Sequence, residues 1–399
     1  SRSYQLSAVS YQQQATSNQQ QATSNQHQAT STKQPAPSNQ QPKFTNSSYL
    51  YSSRGIQNPM ESFEKDKAKR SLTRRDFARK SIIAIAAAGS AGLIGYSAFN
   101  TKKLKTINNY LRIGHCAPSV MQTLIDIHHS GNEDLVLLSG AMAGGIAGPS
   151  TECGVLTAPL MFMGYMNKEA VDPSGRLKLI AMAQAYSARF GSENKASSCE
   201  LIRNRGMHSC KNAVHDFYDD YSWACANPLV FRDEIKESYS FLLENFEKED
   251  FHCAHNVLRL LEGRVKVSGD MLASTWIFAG GIAMMNRTCG ALAGGVAALS
   301  SLNSMAENSY ARVSRMNRLL RKKSSSAMDE DINNYNRAIN QSDVLGEWFR
   351  REFGSLSCRD IWQYDFSSLR DSESFITGRC TKQCRLIAGK VAEQVVQML

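Results

Sequence analysis

The chain has 399 residues, 42% hydrophobic and 21% charged, with ten cysteines and a net charge of +10. That length suits one large domain or two ordinary ones. Residues 1–103 carry 14 Lys and Arg against 4 Asp and Glu, which accounts for the whole excess; the body has no global basic field, so no nucleic-acid partner is expected.

Residues 1–59 open the chain with a Gln-, Ser- and Asn-rich segment. It contains three imperfect heptapeptides, QQQATSN, QQQATSN and QHQATST. With almost no aliphatic residues it cannot offset the entropy of ordering, and it reads as disordered. Met60 opens a complete export signal and is read as the start of the working protein, with residues 1–59 read as upstream sequence.

Residues 60–103 form that signal. Thr73-Arg74-Arg75-Asp76-Phe77 resembles a twin-arginine box, with Arg79 and Lys80 behind it. Residues 81–99, opening at Ser81 and closing at Phe99, are uncharged and rich in Ala, Gly and Ile. The run is just long enough to span a bilayer, and no clear small-residue cleavage site follows it. The expectation is passage through the twin-arginine translocase to a bacterial periplasm, either released or tethered to the inner membrane through residues 81–99. That route moves folded passengers, many already loaded with a metal cofactor.

The body contains an internal repeat. His115-Cys116-Ala117 answers His252-Cys253-Ala254, and Ala143-Gly144-Gly145-Ile146-Ala147 answers Ala279-Gly280-Gly281-Ile282-Ala283. Thr151-Glu152-Cys153-Gly154 answers Thr288-Cys289-Gly290. Phe190-Gly191-Ser192 precedes Cys199 as Phe353-Gly354-Ser355 precedes Cys358. Cys116 to Cys153 spans 37 positions and Cys253 to Cys289 spans 36; Cys199 to Cys225 and Cys358 to Cys384 both span 26. Four ordered cysteines with shared flanks indicate duplication, with boundaries at 104–235 and 236–399. The extra length of the second unit, residues 308–341, is polar and reads as a solvated helical excursion.

Helical spacing dominates both units. Val120, Met121, Leu124 and Ile127 follow Cys116, and Val257, Leu258, Leu260 and Leu261 follow Cys253, each set reading as one buried helical face. The apolar runs at 155–165 and 291–299 also read as helix, and no alternating strand pattern appears. The predicted class is all-α, two tandem homologous helical domains. Met161, Met163, Met284 and Met285 fall in apolar helical stretches and read as core.

No two cysteines are spaced C-x-x-C. The thioredoxin motif, paired zinc knuckles and the C-x-x-C-H of haem attachment are therefore excluded, and no covalent haem is expected. Four ordered cysteines per unit could supply the thiolates of one iron–sulfur cluster. The candidate ligands are Cys116, Cys153, Cys199 and Cys225, and Cys253, Cys289, Cys358 and Cys384. For the fourth position Cys210 rivals Cys225, and Cys380 rivals Cys384. A thiol–disulfide couple and a purely structural role for the cysteines stay open beside it. His115 and His252 are either redox partners or polar residues at helix starts; His128, His129 and His255 have no counterpart in the other unit. Gly144-Gly145 and Gly280-Gly281 read as packing or turn positions, or as room for a cofactor, and not as a nucleotide loop.

At these residues the sequence resembles the redox-active proteins named for the pattern C-GCAxxG-C-C. The pattern's first cysteine falls on Cys116 and Cys253. Its GCAxxG element falls on Cys153-Gly154-Val155-Leu156-Thr157-Ala158 and Cys289-Gly290-Ala291-Leu292-Ala293-Gly294, and its third cysteine on Cys199 and Cys358. The first unit departs from the pattern at Ala158-Pro159. The resemblance implies a small helical redox domain, present twice. A similar domain accompanies an iron–sulfur site in the split-Soret cytochromes, whose haem half does not carry over here. The implied function is electron transfer or redox catalysis with an unidentified redox partner, and the second unit fits the pattern better.

Overall fold

The runs that follow Cys153 and Cys289 carry apolar or small residues on every helical face, so a helix formed there must be buried on every side. In the computed structural model both do this. Gly154–Met166 is buried from Gly154 to Tyr165, and Gly290–Asn303 from Gly290 to Ser300. The structure describes residues 101–399 apart from 305–313, 316, 320, 322–324 and 379. The heptapeptides, the twin-arginine box and the run at 81–99 lie outside the described residues.

In chain order the first unit comprises α1 (Thr101–Ile113), α2 (Cys116–His128), α3 (Asp134–Ser139), α4 (Gly154–Met166), α5 (Pro173–Asn194), α6 (Cys199–Asn204) and α7 (Met207–Ala226). The second comprises α8 (Asp233–Lys248), α9 (Cys253–Leu260), α10 (Gly269–Thr275), α11 (Gly290–Asn303), α12 (Ser325–Tyr335), α13 (Arg337–Phe353), α14 (Cys358–Trp362), α15 (Leu369–Thr377) and α16 (Cys380–Gln397). The described residues are all-α, with isolated β-bridges and no strand. No described helix is long and apolar enough to cross a membrane.

Local chemistry sets the helix starts. Asp172 caps α5 by accepting from the Gly175 N–H, with Pro173 in the first turn. Ser198 and Ser357 cap α6 and α14 by accepting from the N–H groups of Leu201 and Asp360, which puts Cys199 and Cys358 at the first helical position. α4 and α11 are the centres of the two units. The helix opened by the first cysteine packs on each: α2 on α4, and α9 on α11. α5 and α7 complete the surroundings of α4, and α13 and α16 those of α11.

The units interlock. α3, from the first unit, packs on α11 of the second, and α10, from the second, packs on α4 of the first. Both contacts are close. A β-carbon at Gly164 would lie 2.6 Å from the Ala273 carbonyl oxygen, and one at Gly140 would lie 2.1 Å from Ser304 Oγ. The Ala141 N–H donates to Ser300 Oγ at 2.8 Å, and that hydroxyl donates to the Leu137 carbonyl at 2.7 Å. One continuous apolar cluster accordingly takes residues from 104–235 and from 236–399.

Two local expectations change. Where it is described, the extra length of the second unit is helical and largely solvent-facing, as expected, but its end is not. Ile332, Tyr335 and Ala338 are buried, and the Tyr335 hydroxyl donates to the Ile113 carbonyl. α12 and the start of α13 thus cover the junction of α1 and α2, a use that their polar composition hides. Leu260 is 60% exposed because α9 ends there, so the apolar face after Cys253 stops at Leu258 and resumes at Leu261 beyond the helix.

Gly290 is the close approach nearest the cysteines. An added β-carbon would meet Cys253 Sγ at 2.3 Å and the Phe278 carbonyl oxygen at 2.4 Å, whereas one at Gly389, inside α16, would meet nothing within 4 Å. Gly290→Ala should destabilise by about 3 kcal/mol or more, since rigid backbone must move. Gly389→Ala should stabilise by about 0.5–1 kcal/mol through helix propensity. Urea unfolding of the two variants checks this, and equal effects would contradict the close approach.

Candidate functional site: two buried thiol clusters at helix N-termini

Each cysteine of interest lies at or near a helix start. Cys116 and Cys253 are the first residues of α2 and α9, behind the N-caps His115 and His252. Cys153 and Cys289 are themselves the N-caps of α4 and α11. Cys199 and Cys358 open α6 and α14. Cys210 closes the first turn of α7, and Cys384 lies one turn into α16.

Backbone pairing joins the second and third cysteines of each unit. The Cys153 N–H donates to the Ser197 carbonyl at 2.8 Å, and the Cys199 N–H to that of Thr151 at 3.0 Å. In the second unit the Cys289 N–H donates to Leu356 at 2.8 Å and the Cys358 N–H to Arg287 at 2.7 Å. The Gly-Gly turns run alongside. Gly144 and Gly145 have φ of 88° and 105°, and Gly280 and Gly281 of 60° and 72°. Backbone hydrogen bonds from Gly144 and Gly280 reach Cys116 and Cys253 respectively. These glycines are turn residues, not helix-packing ones. In the second unit the left-handed backbone continues through Ile282, Ala283 and Met284. Such strain in non-glycine residues gathers at functional sites.

Electrostatics define the two sets. Burial, then the nearby Cys199, raises Cys116 to about 11, against the backbone N–H groups of Gly144 and Ala117. The Cys153 thiol is raised well above its ordinary value, first by its hydrogen bond with Cys199, then by burial. Burial, Cys199 and Cys116 raise Cys210 to about 12. In the second set, burial and Cys289 raise Cys253 to about 12, opposed by the N–H groups of Ala254 and Gly280. Burial raises Cys289, opposed by the N–H groups of Leu292 and Ala291. Burial, then the neighbouring thiols Cys289 and Cys253, raise Cys358 and Cys384 well above the ordinary range; for Cys384, Cys358 is the leading neighbour.

The sets are therefore Cys116, Cys153, Cys199 and Cys210, and Cys253, Cys289, Cys358 and Cys384. Cys225 lies elsewhere: it follows Cys210 by 15 positions on one helix, about 22 Å along the axis. Its thiol is hydrogen-bonded to Tyr221, within an aromatic group of His128, Phe162 and Tyr218. Equal spacing favours Cys225; the mutual influence of the thiols reaches Cys210, the rival that the sequence also offers. α15, a helix between α14 and α16, has no partner between α6 and α7 and lengthens the second interval. Cys380 adjoins Cys384, but its thiol contacts the Gly378 carbonyl at 3.9 Å and Tyr364.

The histidines serve the helix starts. His115 Nε2 lies 2.9 Å from Asn336 Oδ1, and the ring stacks on Tyr335 at 4.2 Å. His252 Nε2 donates to the Trp276 carbonyl at 2.8 Å, while its Nδ1 accepts from the His255 N–H. His255, dismissed on the sequence for want of a counterpart, stacks on His252 at 3.9 Å and is held well inside the fold. Glu152 is also missed by sequence reasoning. It is buried, and it accepts from the Thr288 hydroxyl, so it bridges the cysteine turns of the two units. Its place in Thr151-Glu152-Cys153, opposite Arg287-Thr288-Cys289, is the one signal that could have found it.

Chemically these are thiols at or near helix starts, buried at Cys153, Cys289, Cys358 and Cys384 and partly buried at Cys116, Cys199, Cys210 and Cys253, with backbone N–H groups near the sulfurs of Cys116, Cys153, Cys253 and Cys289. Such surroundings suit thiolate only when a cation arrives to balance it. Among the described residues no three His, Cys, Asp or Glu side chains are gathered tightly enough for one metal ion. The chemistry of each set, four soft sulfur donors, is of the kind that thiolate-bound metal groups use.

Thiols with raised values stabilise the fold below their unfolded value, and that contribution is lost as pH rises through the folded one. For Cys116, Cys210 and Cys253 the window runs from 9.0 to about 11 or 12. Metal-free protein should lose melting temperature steadily above about pH 9, and Cys253→Ala should flatten the slope. Scanning calorimetry across that range checks it, and an unchanged slope would contradict a buried neutral thiol.

The family model described as "Putative redox-active protein (C_GCAxxG_C_C)" matches residues 114–222 and 251–398. The first match includes Cys210 and stops short of Cys225, and the second includes Cys384. No curated protein and no solved structure matches the chain. With both units matched, over more than half its length, the chain belongs to the C_GCAxxG_C_C family of redox-active proteins and carries the family's unit twice in tandem.

Proposed function

We propose that the protein is an exported electron-transfer or redox protein whose two thiol sets each hold an iron–sulfur centre. One observation supports the reading: in each unit three cysteines at helix starts and a fourth within the first turns of another helix influence one another's thiols, and backbone N–H groups reach the sulfur of the first. When bound, such a centre supplies one-electron exchange at a potential set by its type, its charge and the hydrogen bonds to its sulfurs. The chain's own groups have three tasks. Cys116, Cys153, Cys199 and Cys210, and Cys253, Cys289, Cys358 and Cys384, hold it. The N–H groups of Gly144 and Gly280 temper the negative charge, and the apolar residues around α4 and α11 keep water out. Folding and loading before export through the twin-arginine route suit such a passenger, with the periplasm as its destination and residues 81–99 as a possible tether.

Anaerobically purified protein should contain iron and acid-labile sulfide in matching amounts and absorb broadly in the visible. Cys289→Ala and Cys358→Ala should each lose about half of both, since one of two sites is removed, while Cys380→Ala should keep them. Protein that stays free of iron after anaerobic reconstitution would overturn the reading.

A second reading rests on the thiol–thiol hydrogen bond between Cys153 and Cys199. These two could form a disulfide, giving two electrons and two protons to an oxidant. Mild diamide treatment followed by non-reducing peptide mapping should then find that bond ahead of any other. Its absence, with all ten thiols recovered, would dismiss the couple.

A further inference from the structure

A cleft of about 200 Å³ lies between the start of α5, the end of α8 and the start of α9. Its walls are mixed: Leu243, Phe246, Phe251 and Trp276 form an apolar side, with Phe246 and Phe251 edge to face at 5.2 Å, and charged or polar side chains form the other. The volume is below the roughly 300–1,000 Å³ of sites for drug-sized ligands, which limits an occupant to one or two rings.

The polar groups of the cleft are nearly all committed. Arg259 Nη1 donates to both carboxylate oxygens of Asp250, at 2.9 and 3.0 Å. His252 and His255 direct their Nε2 atoms at the carbonyls of Trp276 and Leu272, at 2.8 and 2.7 Å. Glu247 is exposed at the rim. Arg176 is the exception. Its guanidinium lies over the Trp276 ring at 4.3 Å, and its Nη1 is buried with no hydrogen-bond partner. Burial works against its charge, and only Asp172 favours it, from a distance. A desolvated guanidinium N–H beside an aromatic wall lacks one thing, an anionic acceptor.

We propose that this cleft binds a flat, singly anionic aromatic molecule of one or two rings, its ring among Phe246, Phe251 and Trp276 and its anionic group on Arg176. His252 lines the cleft and directly precedes Cys253, so the occupant sits beside the second thiol set. Its service as an electron donor or acceptor rests on the proposed function; its binding does not.

Titration calorimetry on the purified chain, iron-loaded and iron-free, tests the binding with 2-naphthoate and its neutral analogue 2-naphthalenemethanol. Naphthoate should bind one to one, and the neutral analogue at least about tenfold more weakly. Arg176→Gln should weaken naphthoate by a similar factor and leave the neutral compound unchanged. The comparison of the two compounds needs no variant, so a poorly folding Arg176→Gln would not blunt it. Equal binding of both compounds, or no binding of naphthoate, overturns the proposal. Naphthoate binding by protein that never takes up iron upholds the cleft while removing the redox centre, so the two readings fail separately.

Discussion

The start of each central helix admits no β-carbon, and the arrangement of the cysteines depends on that fact. At Gly154 a methyl group would lie 2.6 Å from the Met142 carbonyl oxygen and 2.9 Å from the Ala117 β-carbon; at Gly290 it would strike Cys253 Sγ and the Phe278 carbonyl. The glycine after the second cysteine lets the helix of the first cysteine come into contact, and so brings the two thiols into one site. The third cysteine is then fixed by the paired backbone of Cys153 with Ser197 and of Cys289 with Leu356. Only the fourth comes from a helix side.

Interlocking adds a second constraint. α3 and α10 each leave their own unit to pack on the central helix of the other, so a change in one unit is felt next to the cysteines of its partner. The Glu152–Thr288 hydrogen bond joins the two cysteine turns directly. Four helix N-termini at each thiol set give it fixed partial positive charge that salt screens poorly in a shielded interior. The raised thiols show that this field alone does not outweigh burial.

Much of this was legible in the sequence. Helical periodicity, all-round apolar runs and duplicated cysteine flanks identify an all-α tandem repeat. The equal spacing of 26 hides a difference in the helices: α15 precedes Cys384, whereas Cys225 stands near the end of α7. Composition failed for α12, where a few buried residues, Ile332 and Tyr335 among them, sit in a polar segment. Pattern matching also passed over His255 and Arg176, whose importance comes from what stacks on them in space: His252 on the one and Trp276 on the other.

Electron paramagnetic resonance of the chemically reduced protein tests the account most directly when wild type is compared with Cys210→Ala and Cys225→Ala. The account predicts an iron–sulfur signal in the wild type, the same signal in Cys225→Ala, and loss or alteration of the first unit's contribution in Cys210→Ala. Loss in Cys225→Ala with retention in Cys210→Ala, or no paramagnetic centre in any of the three, would contradict it.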